Sequence, residues 1–291
     1  MSEDSSISKK IFYDSWQNNF FKFSIIFFIF ICLLAFIYPE FSAIKAEKMN
    51  IKSKFLPPIF FEGFSWAHIL GTDQLGRDML MRCLVGLRFS LIIGFTSVFI
   101  MLLFGCLIGI ISGFKSSWVD VIIMRITDAQ LSIPMVILAI SILGVSRPNL
   151  ASIILVLALS GWPLYARVSR SMALIERDKE YVRGARILGA NDFRIIFFLI
   201  IPIILPPIAF VSVLDIARMM IFEAILGFLG LGVQPPTPTF GNIIADARKY
   251  LMNAWWIATM PGIFLVITLV ILNFLGTTLE KSKNKIFGEG V

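Results

Sequence analysis

Few side chains in this sequence are equipped for covalent chemistry. His68 is the single histidine, and the three cysteines, Cys32, Cys83 and Cys106, lie far apart. A catalytic nucleophile needs a base within hydrogen-bond reach, and a metal needs several ligands together. No Ser-His, Cys-His or multi-histidine constellation is present, and no G-x-x-x-x-G-K-[ST] phosphate loop. The cysteines read as small core residues rather than a disulfide framework. What remains are charges set in or beside apolar segments: Asp73, Arg77 and Asp78; Arg125 and Asp128; Asp215, Arg218 and Glu223. Such charges are costly, so they either pair or face a pathway. Asp215 and Arg218, three apart, can pair on one helical face. The first trio reads as a capping and salt-bridge unit on the outer side.

The most informative polar stretch is Asp178 to Pro202, DKEYVRGARILGANDFRIIFFLIIP. Asp178 is placed to cap a helix whose first turn holds Glu180, favoured there by the helix dipole. That helix should run to about Leu188, with Gly189 supplying the left-handed position beyond its end. Asn191 can cap the helix that follows. The unit is therefore short helix, glycine turn, membrane helix. Gly184 and Ala185 are small enough for another backbone to approach. Tyr181, Val182 and Leu188 offer apolar contact, and Arg177, Arg183 and Arg186 offer charge. Such a helix can dock in a groove of a partner protein or lie on lipid headgroups.

The elements that must position this unit are membrane spans. The chain has 291 residues, 57% of them hydrophobic and 15% charged, against about 45–50% and about 25% in soluble domains. Apolar runs are expected to cross at Phe20–Tyr38, Phe89–Phe114, Ile126–Gly144 with an interruption at Pro134, Leu150–Tyr165, Ile195–Val213 and Trp256–Leu275. Each is near the roughly 20 residues that a bilayer needs. Arg147, Pro148 and Asn149 should make a tight turn. The first run is too long for a signal peptide and ends in Tyr38-Pro39-Glu40, so it reads as an uncleaved anchor. Pro202, Pro206 and Pro207 should kink the fifth span, which either lies inside the bundle or lines a pathway. The class is an all-α polytopic membrane protein with six transmembrane helices.

Residues 167–194 carry seven basic and four acidic side chains. Together with Lys9, Lys10 and the C-terminal lysines, they place that loop and both termini in the cytoplasm. The net charge of +7 is explained by such loops, and no basic soluble module for nucleic acid is present. The chain divides into residues 1–87, holding a tail, the first span and an extracytoplasmic segment; a core at 88–280; and a cytoplasmic tail at 281–291.

Arg183-Gly184-Ala185, then Gly189, then Leu199-Ile200-Ile201-Pro202 resembles the EAA loop of ABC importer permeases, with matching spacing. Two further stretches resemble the C-type permease of dipeptide and oligopeptide importers. One is Gly71–Leu91, with Gly71, Asp73, Gly76, Arg77 and Asp78. The other is Phe228–Asn242, with Gly230, Gly232, Pro235, Pro236 and Gly241. The resemblance covers about residues 70–276 and implies a type I ABC importer permease fold in a bacterial inner membrane. It implies that Tyr181, Arg183, Gly184, Ala185, Leu188, Gly189 and Pro202 belong to a loop coupled to an ATPase. It also implies a second permease, two ATPase subunits that bind ATP and Mg²⁺ in this chain's stead, an extracytoplasmic substrate-binding protein and surrounding lipid. This chain would bind no cofactor and catalyse no reaction. Related permeases carry peptides, nickel or other small solutes. Arg183 and Gly184 replace the acidic residue and first alanine usual in that loop, and Thr277 stands where an aspartate is usual. From the residues alone, an ion-coupled secondary transporter remains the other class, although it would show central ionisable residues and often an internal repeat, and no repeat is found.

Overall fold

The computed structural model describes residues 4–145 and 148–287. The helices are α1 (Asp4–Trp16), α2 (Asn19–Phe36), α3 (Tyr38–Phe41), α4 (Met79–Lys115), α5 (Trp118–Leu131), α6 (Met135–Leu143), α7 (Leu150–Glu176), α8 (Glu180–Ile187), α9 (Asp192–Ile195), α10 (Ile201–Phe228), α11 (Phe240–Ala247) and α12 (Trp256–Phe287). Five segments are long and apolar enough to cross a membrane. The pair α5–α6, bent by 86° across its break, makes a sixth when counted as one. Among the described residues there is no β-strand, only an isolated bridge between Thr72 and Asp78.

Several spans are longer than the apolar runs suggest, and in each case an ion-pair partner, distant in the second and fourth spans and local in the fifth, neutralises the charge that seemed to end them. The second begins at Met79 rather than Phe89, because Arg82 and Arg88 meet Asp73 and Glu40. The fourth continues past Tyr165 to Glu176, because Asp128 pairs with Arg167 and Asp120 takes Arg170 at 2.5 Å. The fifth runs on from Val213 to Phe228, with Asp215 and Arg218 paired at 3.0 Å inside it. The third starts at Trp118, and only Ser116 and Ser117 separate it from α4. Its break at Ser132–Pro134 matches the expected interruption. In the expected turn at 147–149, Arg147 lies outside the described residues, while Asn149 forms a capping box with Ser152 at the start of α7.

The core is the face between α4 and α7. Gly105, Gly109 and Gly113 recur every four residues on α4. A Cβ at each would stand 2.6, 2.1 and 2.6 Å from the carbonyl oxygens of Trp162, Ala166 and Arg170. Small residues at this spacing let two membrane helices touch backbone to backbone. Helix α10 packs against α4, α7 and α12 and so lies inside the bundle. Ahead of Pro202, residues Ile196–Ile200 form a π-helical turn, which widens the ladder where proline cannot donate. At one end of the bundle, Lys285 Nζ meets Asp14 Oδ1 at 2.6 Å and Ser15 Oγ donates to Ser282 Oγ at 2.9 Å. With six crossings, the described chain ends and α8 share that end.

Candidate functional site

The short helix α8 hangs below α4 and α7 and is braced on both. Its N-cap is Lys179, without a side-chain cap, so Asp178 does not play the expected role; the turn after Arg177 carries the chain one residue further before the helix starts. The bracing comes instead from Glu176, the last residue of α7. Tyr181 Oη donates to Glu176 Oε2 at 2.7 Å, and Lys179 Nζ lies 2.6 Å from Oε1. Arg177 Nη1 donates to the carbonyl of Gly113 at 3.2 Å. The Arg186 guanidinium sits 5.1 Å above the Phe114 ring, a cation–π contact. Val182 is fully buried in the core. Arg186, Val182 and the Tyr181 hydroxyl, which the sequence offered as contact groups for a partner, thus hold the helix to its own chain, while Arg177 ties the end of α7 to α4.

What α8 leaves outward is different. Ile187 and Leu188 are 86% and 89% exposed. Arg183 is exposed and has no ion pair among the described residues. Nothing lies within 4 Å of a Cβ built on Gly184, so this chain's own packing does not require glycine there. Ala185 packs partly against the core. Ile187 was missed in the sequence because it falls between the polar and apolar positions of so short a helix.

The helix ends in a Schellman turn: Ala190 N–H donates to the carbonyl of Ala185, and Gly189 N–H to that of Arg186, both at 3.0 Å. Gly189 has φ +84°, a left-handed value that glycine alone adopts without a Cβ penalty. Asn191 then accepts from Arg194 N–H at 2.9 Å and opens the helical run that leads through the π turn to Pro202 and α10. A single short turn therefore joins α8 to the bundle's central helix.

The two other motif stretches come together at the opposite end. Asp78 caps α4 by accepting from Met81 N–H at 2.8 Å, and its other oxygen faces His68 Nδ1 at 2.8 Å. Asp73 accepts from Arg77 Nε at 2.6 Å and lies 3.5 Å from Arg82. Gly71 and Gly76 sit at positive φ, against the carbonyls of Leu56 and Asn50. Trp256 Nε1 donates to the carbonyl of Thr72 at 3.0 Å. Asp73, Arg77 and Asp78 therefore form a capping and salt-bridge unit; its partners His68, Arg82 and Trp256 were not singled out for it, because they lie outside the trio in sequence. In the second stretch, Gly230 (φ +81°) ends α10 in another Schellman turn. Gly232 and Gly241 pack on Gly227, the Pro235–Pro236 bond is cis, and Asn242 Nδ2 donates to the carbonyls of Val233 and Thr237.

Between these ends, Tyr165 Oη donates to Asp215 Oδ2 at 2.6 Å. Ser90 Oγ donates to the fully buried Glu223 at 2.8 Å.

A family model described as the binding-protein-dependent transport system inner membrane component matches residues 105–285. The chain belongs to that family. It is 37% identical over 224 residues to the di/tripeptide transport system permease protein DppC of Pseudomonas aeruginosa, covering 77% of this chain and 74% of that one. It is 33% identical over 264 residues to the dipeptide transport system permease protein DppC of Haemophilus influenzae, covering 91% and 90%. A probable D,D-dipeptide transport system permease protein of Escherichia coli is 34% identical, covering 87% and 83%. Among solved structures, an inward facing form of the MetNI methionine ABC transporter matches 68% of this chain and 94% of that chain, with a TM-score of 0.55 at 19% identity. The permease therefore has the all-helical fold of an ABC importer subunit, as its motifs imply.

Proposed function

We propose that this permease forms half of the pathway of an ATP-driven importer of di- and oligopeptides in a bacterial inner membrane. A second permease completes the pathway. Two ATPases, which bind ATP and Mg²⁺, dock on α8 at the cytoplasmic end, where both termini lie, and a substrate-binding protein delivers cargo at the other end. The observation that carries this reading is the mounting of α8. Its exposed tip, Ile187–Leu188, is free to enter a partner's groove, while Glu176 and Phe114 tie its other side to α7 and α4. Closure of the ATPases would pull on α8, and the braces and the Gly189 turn would pass that pull to α4, α7 and α10 together. Those helices would then move as one body, the basis of alternating access. The peptide cargo follows the relatives named above.

The test is uptake of a labelled dipeptide by proteoliposomes holding the assembled transporter. Replacing Ile187 and Leu188 with glutamate should abolish ATP-driven uptake and ATPase co-purification, while the permease still inserts. Retention of both activities would remove α8 from the coupling role. Uptake that survives ATP depletion but not an uncoupler would make the protein an ion-coupled transporter, and uptake of nickel in place of dipeptide would change the cargo.

A further inference from the structure

One charged group in the bundle's middle is left over by every role assigned above. Asp215 and Arg218 lie halfway along α10, roughly 20 Å from Ile201 at about 1.5 Å per residue. Two cavities border Asp215. One, about 300 Å³, opens at the α5–α6 break and is lined by Gln130, Pro134, Ser160, Tyr165, Asp215 and Arg218, among others. The second, about 180 Å³, runs toward Glu280 and Lys283 of α12. Leu164, Tyr165 and Asp215 line both, so the Tyr165–Asp215 hydrogen bond lies in a wall that the two share.

The members of this pair are not equivalent. Asp215 is 13% exposed and satisfied on both oxygens, by Tyr165 Oη and by Arg218 Nη1. Arg218 is 56% exposed, and Asp215 is its one hydrogen-bond or ion-pair partner among the described residues. A guanidinium has five N–H donors in a fixed fork, so most of them are left over by the Asp215 pair, on a side chain that lines the first cavity. At mid-span an exposed cation is too costly to leave against lipid; this face must meet water, cargo or another subunit.

We propose that Arg218 is the point in the pathway that takes the C-terminal carboxylate of a passing peptide, with Asp215 and Tyr165 as positioning residues that aim it. This rests on the peptide reading above. A guanidinium fork matches a carboxylate in two parallel hydrogen bonds. The retained Asp215 partner and the open cleft keep that contact weak, as passage requires, since a site that holds too tightly does not release.

The test uses the complete transporter in proteoliposomes with its binding protein, dialanine as cargo, and three variants. Arg218→Gln should lower uptake about tenfold or more with subunit assembly and basal ATP hydrolysis unchanged, while Asp215→Asn, which leaves the donors in place, should lower it by about threefold or less. The Asp215→Asn/Arg218→Gln double variant should stay as impaired as Arg218→Gln alone. Recovery in the double variant would mean that the pair is structural and the single variant suffers from an unpaired Asp215. Loss of assembly in Arg218→Gln would mean that Arg218 meets the second permease, and unchanged uptake would mean that it meets nothing. Each of these overturns the inference and leaves the peptide reading standing. Failure of the unaltered transporter to take up dialanine overturns the peptide reading and the inference with it.

Discussion

Two helices of this permease end in the same backbone device, and the chain treats them in opposite ways. At Gly189 and at Gly230 a left-handed glycine closes a Schellman turn, with φ +84° and +81°. Past Gly230 the chain folds back on itself. Gly232 and Gly241 press on Gly227, Asn242 ties down two carbonyls, and Arg248 stacks 5.0 Å over Phe228. Around Gly189, by contrast, Ile187 and Leu188 stand almost fully in the open. The same local geometry serves as an internal corner in one place and as an unoccupied tip in the other. The difference lies in what the chain brings up against each turn.

Substitutions should separate the two corners in a graded way. The largest effect belongs to the closed one. A Cβ on Gly241 would stand 2.5 Å from the carbonyl oxygen of Ala224 and 2.7 Å from the Cα of Gly227, backbone atoms that cannot swing aside. Gly241→Val should cost about 3 kcal/mol or more, read as a lower melting temperature of the purified transporter; an unchanged melting temperature would mean that the corner is looser than this packing implies. Next comes Gly189→Pro, which removes the N–H donated to Arg186 and forbids the positive φ. Dipeptide uptake should vanish with normal membrane insertion, and normal uptake would take the turn out of the coupling path.

Gly189→Ala and Gly230→Ala sharpen the contrast, because neither added Cβ meets anything within 4 Å. Each should cost stability about equally, roughly 1–2 kcal/mol for a left-handed residue. Only the first should reduce uptake per folded transporter. The smallest effect is expected for Gly184→Ala: open space surrounds the site, so stability should rise by up to about 1 kcal/mol with uptake unchanged. A fall in uptake would show that a partner backbone already fills that space.

Much of this was readable from the chain alone. Local rules were sufficient for the glycine of the α8 turn, the Asn191 cap, the break at Pro134 and the Asp215–Arg218 pair, since each depends on residues within four positions. The spacing Gly105, Gly109, Gly113 also signals a close-packing face, but a signal set amid uniformly apolar residues does not say which helix it meets. Span ends were read short at Phe89, Tyr165 and Val213. A charge counts as polar until its partner is known, and the partners of Arg88, Arg167 and Arg170 lie some 40 to 50 positions away.

The sequence by itself determined the number of crossings and the helix–turn–helix unit below them, because hydrophobic length and short-range spacing dictate these, while the family came from the resemblance of its motif stretches. Only the tertiary structure decided which face of α8 is consumed internally and which is free. It alone set Tyr165 against Asp215, 50 residues apart, leaving Arg218 to face a cleft. Those outcomes depend on how α4, α7 and α10 pack, and packing brings together residues that no local pattern connects.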